Sequence, residues 1–198
     1  RTIKKRRKWK FIPCLILCGL CGAILFEAGT LLAQFICASR DPFADYVIDP
    51  EKSLEAQLAE LAKKDERAAF IWEHQKNYPE ELLYMLIKDP DTLDFVYGYP
   101  DRSKTHFASQ EDEIEQGTIP LLLQWDQRWG YAAYGDTIMA LGGCAPTALA
   151  MICSGLLQDA SITPYTIAQY AQDHGYYIPG VGSSWDLITA IAYRYGID

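Results

Sequence analysis

Cys144 stands in the string Gly142-Gly143-Cys144-Ala145-Pro146-Thr147-Ala148-Leu149-Ala150-Met151, a glycine turn that leads into an apolar helix. The spacing delivers a thiol to the first helical turn, where Pro146 fits because its missing N–H has no intrahelical partner there. A cysteine so placed faces the partial positive charge of unsatisfied N–H groups. That charge favours the thiolate, the form that attacks a carbonyl carbon. The other reading of such a cysteine is a small buried residue packing a helix start. The Gly-Gly approach and the residues upstream favour the nucleophile.

The elements that must position this thiol can be read from the flanking pattern. The Cys144 helix is predicted to run to Leu157. Cys153 lies on the same helix, about 13 Å away along its axis, too far for a disulfide. Thr163-Pro164 caps a helix through Ile167, Tyr170 and Ala171, and Gly182-Ser183-Ser184-Trp185-Asp186 starts another that ends at Gly196. Upstream, Ile119 to Leu123 suits an entry strand, followed by Gln124-Trp125-Asp126-Gln127-Arg128-Trp129-Gly130-Tyr131. Trp125, Trp129 and Tyr131 read as core or cleft wall. Residues 101–117 lack an apolar period and are rich in acids, which makes them a linker or a lid; His106 belongs to it.

Before the linker the pattern is helical. Leu54, Leu58, Leu61, Ala62, Ala69 and Trp72 recur near a 3.6-residue period and predict one amphipathic stalk helix from Pro50 to about Lys76. His74 reads as a solvated side chain of that stalk. Pro79-Glu80-Glu81 starts a second helix, and Asp89-Pro90-Asp91-Thr92 caps a short third element that stops near Gly98-Tyr99-Pro100. The expected organisation is therefore a basic tail over 1–10, an apolar segment over 11–38, a helical stalk, lead-in and linker over 39–117, and a domain over 118–198.

Charge divides the chain. Seven Lys and Arg fall within the first ten residues, whereas 25 Asp and Glu against 10 Lys and Arg follow Arg40. The acidic bulk excludes nucleic acid as its partner, because phosphate binding needs a basic face. Residues 11–38 carry one charge, Glu27, and are long enough to cross a hydrocarbon core of about 30 Å. Basic residues before it predict a cytoplasmic N-terminus and an extracytoplasmic remainder on a single-pass anchor at the cell membrane. Cleavage as a signal peptide, releasing a secreted domain, is the alternative. Cys14, Cys18 and Cys21 share a helical face in this segment, which also holds Cys37; without His or wet partners these are no zinc site.

The motif Gln-Trp-Asp-x-Arg-Trp-Gly-Tyr over 124–131, followed by Gly-Gly-Cys-Ala-Pro-Thr-Ala-Leu-Ala-Met over 142–151, resembles the papain-like cysteine peptidases related to the double-glycine (bacteriocin-leader) peptidases. Weaker matches lie at Tyr78-Pro79-Glu80-Glu81-Leu82-Leu83, Asp94-Phe95-Val96 and Gly182-Ser183-Ser184-Trp185. The resemblance implies a mainly α chain, the helical half of an α+β papain-like fold with its β half missing. It makes Cys144 the nucleophile and Gln124 the side-chain donor of the oxyanion hole, with the Cys144 backbone N–H as second donor. Donors of this kind are worth about 3 to 4 kcal/mol each.

One departure from the family is decisive. The His expected in a β-rich half does not occur before Asp198, and His174, the one histidine after Cys144, sits in a helix C-terminal context. The base is expected beyond Asp198, and the 198 residues alone are expected to be inactive. The activity implied for the complete protein is thiol-dependent cleavage of a peptide or isopeptide bond of a peptide or protein outside the membrane, with no cofactor and no metal. A non-catalytic module holding a peptide or cell-wall stem on the same scaffold is the alternative. A transporter-linked leader peptidase would need a polytopic region and a phosphate loop, and the chain has neither.

Overall fold

The computed structural model describes Phe43, residues 46–102 and residues 110–197. The chain divides into two compact units, 1–47 and 48–198. The described part of the second is mainly helical, with eight α-helices and two hairpins of very short strands. The basic tail, the apolar segment with Glu27 and its four cysteines, and His106 lie outside the described residues. Among the described residues no helix is long and apolar enough to cross a membrane.

The lead-in region is a packed set of four helices. Ser53 accepts a hydrogen bond from the Ala56 N–H and caps α1 (Leu54–Ala62), and Asp65 accepts from the Arg67 N–H and caps α2 (Glu66–Glu73). The single stalk helix expected across 50–76 is therefore two helices packed on each other. Asp65 supplies the stop: its carboxylate satisfies an amide at the start of α2, and the chain reverses over Lys63–Asp65. The reversal also shifts the apolar phase, so Ala68 and Ile71 join Leu58 and Leu61 in full burial, while Trp72 stays exposed. Next come α3 (Glu80–Lys88), burying Leu82, Leu83, Leu86 and Ile87, and α4 (Leu93–Gly98), burying Leu93, Phe95 and Val96. α3 starts after Pro79 as expected, whereas the Asp89 carboxylate, accepting from the Asp91 N–H, caps a single 3-10 turn over Pro90–Thr92 that leads into α4.

The segment expected as an entry strand, 119–123, has no regular secondary structure and belongs to no sheet. It runs across the cysteine-bearing helix at Gly155, where an added Cβ would meet Ile119 Cα at 2.8 Å and the Thr118 carbonyl oxygen at 2.9 Å. Residues 124–131 then form a knot of side-chain ties. The Arg128 guanidinium bonds Asp126 and Glu113 and covers the Trp129 ring, and the Trp129 indole N–H donates to the Leu123 carbonyl. Tyr131 stacks on Phe95 and donates its hydroxyl proton to the Phe95 carbonyl at 2.7 Å, which fastens the lead-in helices to residues 124–131.

Strands β1 (Ala133–Tyr134) and β2 (Thr137–Ile138) pair around Gly135, whose φ of +62° suits glycine. Then come α5 (Met139–Gly142) and α6 (Cys144–Leu157). The bounds of α6 match the expectation, and Gln158 closes it in the left-handed region. Thr163 and Thr166 form a reciprocal capping box at the start of α7 (Pro164–Asp173). Strands β3 (Tyr177–Ile178) and β4 (Gly182–Ser183) make the second hairpin, and α8 (Asp186–Tyr195) ends at Gly196. The core between them holds Leu122, Trp129, Tyr134, Met139, Leu149, Cys153, Ile167, Leu187 and Ile191.

Candidate active site

The turn that presents Cys144 is too tight for side chains. A Cβ on Gly142 would come within 2.7 Å of Thr137 Cγ2, and one on Gly143 within 2.6 Å of the Met139 carbonyl oxygen. The first intrahelical bond of α6 runs from the Thr147 N–H to the Gly143 carbonyl, which also accepts the Thr147 hydroxyl at 2.8 Å. The amides of Cys144 and Ala145 precede that bond and have no acceptor among the described residues, as the first amides of a helix must. Pro146 brings no N–H to satisfy. Cys144 is exposed at this end of α6, whereas Cys153 is buried further along, and both thiols are free. Burial pushes the Cys153 thiol up, which makes it a packing residue.

Across from Cys144 lie β4 and the start of α8. Gly142, Cys144 and Ala145 on one side and Val181, Gly182, Ser183, Ser184, Trp185 and Ile188 on the other enclose a cavity of about 290 Å³. Its rim is apolar and open to water: the Trp185 indole is 85 % exposed and Val181 77 %.

Two side chains of the first hairpin hold the second one in place. Tyr134 is fully buried, and its hydroxyl lies 2.6 Å from Ser183 Oγ. Burial raises the pKa of that phenol, so it stays protonated. The Asp136 carboxylate accepts from the Tyr177 hydroxyl and from the Gly180 N–H, and the Tyr177 bond holds its carboxyl below the usual range. The Tyr134 and Tyr177 rings meet edge to face, 4.8 Å between centroids. Strands of two residues cannot stand alone, so these ties keep β4 facing the thiol.

Gln124 departs from its expected place. Its Nε2 donates to the carbonyls of Met139 at 3.1 Å and Ala140 at 2.9 Å, both in α5. Its side chain lines a different cavity, with Trp125, Leu141, Met85 and Lys88, and that cavity does not include Cys144. The structure thus brings Gln124 to the helix that precedes the thiol and not to the thiol's own cavity. The physical reason is that two carbonyls of α5 compete for the amide protons that an oxyanion would need. Trp129 and Tyr131 are buried and Trp125 lines the Gln124 cavity, in keeping with core and cleft wall.

His174 caps α7 at its C-terminus, stacks on Tyr170 and has Nδ1 2.9 Å from the Tyr170 carbonyl. His74 repeats the arrangement on Phe70 at the end of α2. Neither lines the Cys144 cavity. Among the described residues no group of three or more His, Cys, Asp or Glu could hold a metal ion.

Tyr134 and Asp136 build the site without any expectation from sequence, and Ser183, expected at the start of the last helix, instead lies in β4, with that helix beginning at Asp186. The available signal was Gly135-Asp136, a two-residue turn between Tyr134 and Thr137, which is a hairpin signature. Compared with known proteins, the chain matches no family model, no curated protein and no solved structure.

Proposed function

We propose that the chain carries the nucleophile half of a membrane-anchored, extracytoplasmic thiol peptidase that cleaves a peptide or isopeptide bond. The observation that supports this most is the exposed Cys144 at the first position of α6, beside two unpaired amides and inside a cavity walled by a separate element. A thiolate formed there faces the positive end of the helix. Attack on a substrate carbonyl joins Sγ to the carbon and moves the π electrons onto oxygen, where the Cys144 and Ala145 N–H groups supply donors. Collapse of this adduct breaks the C–N bond, the amine leaves with the proton that the base took from the thiol, and water then hydrolyses the acyl-thioester to the acid and the free thiol. Gln124 serves this reading as a positioning residue: it holds the Met139 carbonyl, which in turn accepts the Gly143 N–H. Entry to an oxyanion hole would require its amide to leave α5.

The proton acceptor in this scheme is a histidine other than His74 and His174, neither of which lines the Cys144 cavity. That same observation favours the second reading, a module that holds a peptide without cutting it.

Alkylation by iodoacetamide near neutral pH, followed at Cys144 by mass spectrometry, tests the nucleophile. The expected rate exceeds that of glutathione by about tenfold or more, in line with an exposed thiol at the positive end of a helix. A rate no faster than glutathione refutes activation. Peptide cleavage that Cys144→Ala abolishes would establish the peptidase, and tight binding without turnover would establish the holder.

A further inference from the structure

An oxyanion formed on Cys144 has two backbone donors but no side-chain donor from Gln124, whose Nε2 is engaged by two carbonyls of α5. Another hydroxyl stands in the cavity itself. Ser183 lines the wall across from Cys144 and Ala145, and its Oγ lies 2.6 Å from the Tyr134 hydroxyl. The neighbouring Ser184 has a different task, because its Oγ accepts the Asp186 N–H at the start of α8.

Burial decides which of the two hydroxyls donates. Tyr134 is fully buried, and its hydroxyl meets only Ser183 among the described residues. Were Ser183 the donor, the phenol proton would be stranded in the core, which is the costly way to leave a hydrogen bond unmade. Ser183 is half-buried at the cavity wall, so its own proton has water or a ligand to turn to. The Tyr134 O–H therefore donates to Ser183 Oγ, and the Ser183 O–H faces the cavity. A hydroxyl whose oxygen already accepts a hydrogen bond is the stronger donor for it. Burial keeps the phenol protonated, and a thiolate at Cys144 pushes it in the same direction, which places Tyr134 within electrostatic reach of Sγ.

We propose that the Ser183 hydroxyl is the side-chain donor to the oxyanion, aimed by Tyr134 from the wall that faces the helix start. This rests on the peptidase reading and adds a catalytic residue to it, with Tyr134 as a positioning residue. As Sγ bonds to the carbonyl carbon and the π pair moves to oxygen, that oxygen accepts from the Cys144 N–H, the Ala145 N–H and the Ser183 O–H. Ser183 keeps its proton throughout. When the adduct collapses, the pair returns to the carbonyl and the three bonds slacken together.

Two reagents separate this role from the reactivity of the thiol. Acetylglycinal, a small aldehyde, joins its carbonyl carbon to Sγ, and its oxygen gains the electron pair and then a proton from water. Iodoacetamide transfers its methylene carbon to Sγ with loss of iodide and builds no charge on oxygen. Aldehyde affinity is read in the intact protein as protection of Cys144 from iodoacetamide. Ser183→Ala is expected to weaken the aldehyde about tenfold more than it slows alkylation, the loss of one hydrogen bond to a charged oxygen. Tyr134→Phe, which frees the Ser183 hydroxyl to turn, should fall between Ser183→Ala and the unaltered protein. If Ser183→Ala does not fold, the isosteric pair Ser183→Thr and Ser183→Val decides, with the same gap expected between them. Equal changes for both reagents overturn the proposal, and so does fast alkylation of the unaltered protein with no aldehyde capture at millimolar concentration. Alkylation no faster than that of glutathione sinks the nucleophile reading instead, a result the ratio between the two reagents does not depend on.

Discussion

A methyl group on Gly143 would sit 2.6 Å from both Cε and the carbonyl oxygen of Met139, and the carbonyl belongs to backbone that cannot swing aside. Gly143→Ala is therefore expected to cost about 1 to 3 kcal/mol, the range for forced overpacking, as a lower urea midpoint. Because the strain falls one residue before the thiol, the variant should also slow Cys144 alkylation, which thiol mapping by mass spectrometry will show. At this scale the sequence was informative where the signal is local. Gly-Gly, Cys144 and Pro146 announce a helix start within five residues. Gln124 was not legible, because the carbonyls that claim its amide lie 15 and 16 positions later in α5, a four-residue helix that carries no capping motif of its own.

Elements with a strong cap are legible in the sequence, and those fixed by distant partners are not. The Thr163–Thr166 box and Pro164 set the start of α7 from within four residues, and Thr163 is fully buried. Thr163→Ala is expected to lower stability by about 1 kcal/mol, the usual cost of an N-cap, measurable as a urea midpoint shift without change in slope. The break between α1 and α2 hides in a charged stretch where Lys63, Lys64 and Asp65 look like the solvent face of a longer helix. The strand expected over 119–123 has the right composition, yet a strand needs a neighbour for its amides, and α6 takes that side at Gly155. The two hairpins escape notice because strands of two residues show no alternation; a single turn and side-chain ties specify them.

Over the whole unit 48–198, Tyr131 is the joint between the lead-in helices and the cysteine-bearing part. Burial pushes its phenol up to about 12 from an ordinary value of 10. A group whose folded value is raised contributes in full below the unfolded value and loses its contribution as pH climbs through the folded one. Stability should thus decline between pH 10 and about pH 12, and Tyr131→Phe should flatten that decline in urea titrations. The same variant should cost about 1 kcal/mol at neutral pH, through the lost bond to the Phe95 carbonyl. The mainly helical architecture was legible from capping and periodicity, whereas the docking of lead-in helices onto residues 124–131 was not, since it depends on contacts between Phe95, Gly130 and Tyr131. The Trp185 indole, standing almost wholly in water at the mouth of the Cys144 groove, gives the molecule a built-in optical gauge. Any ligand that seats there dries the chromophore, so emission moves to shorter wavelength in step with occupancy, and a Trp185→Phe protein stays silent while still filling.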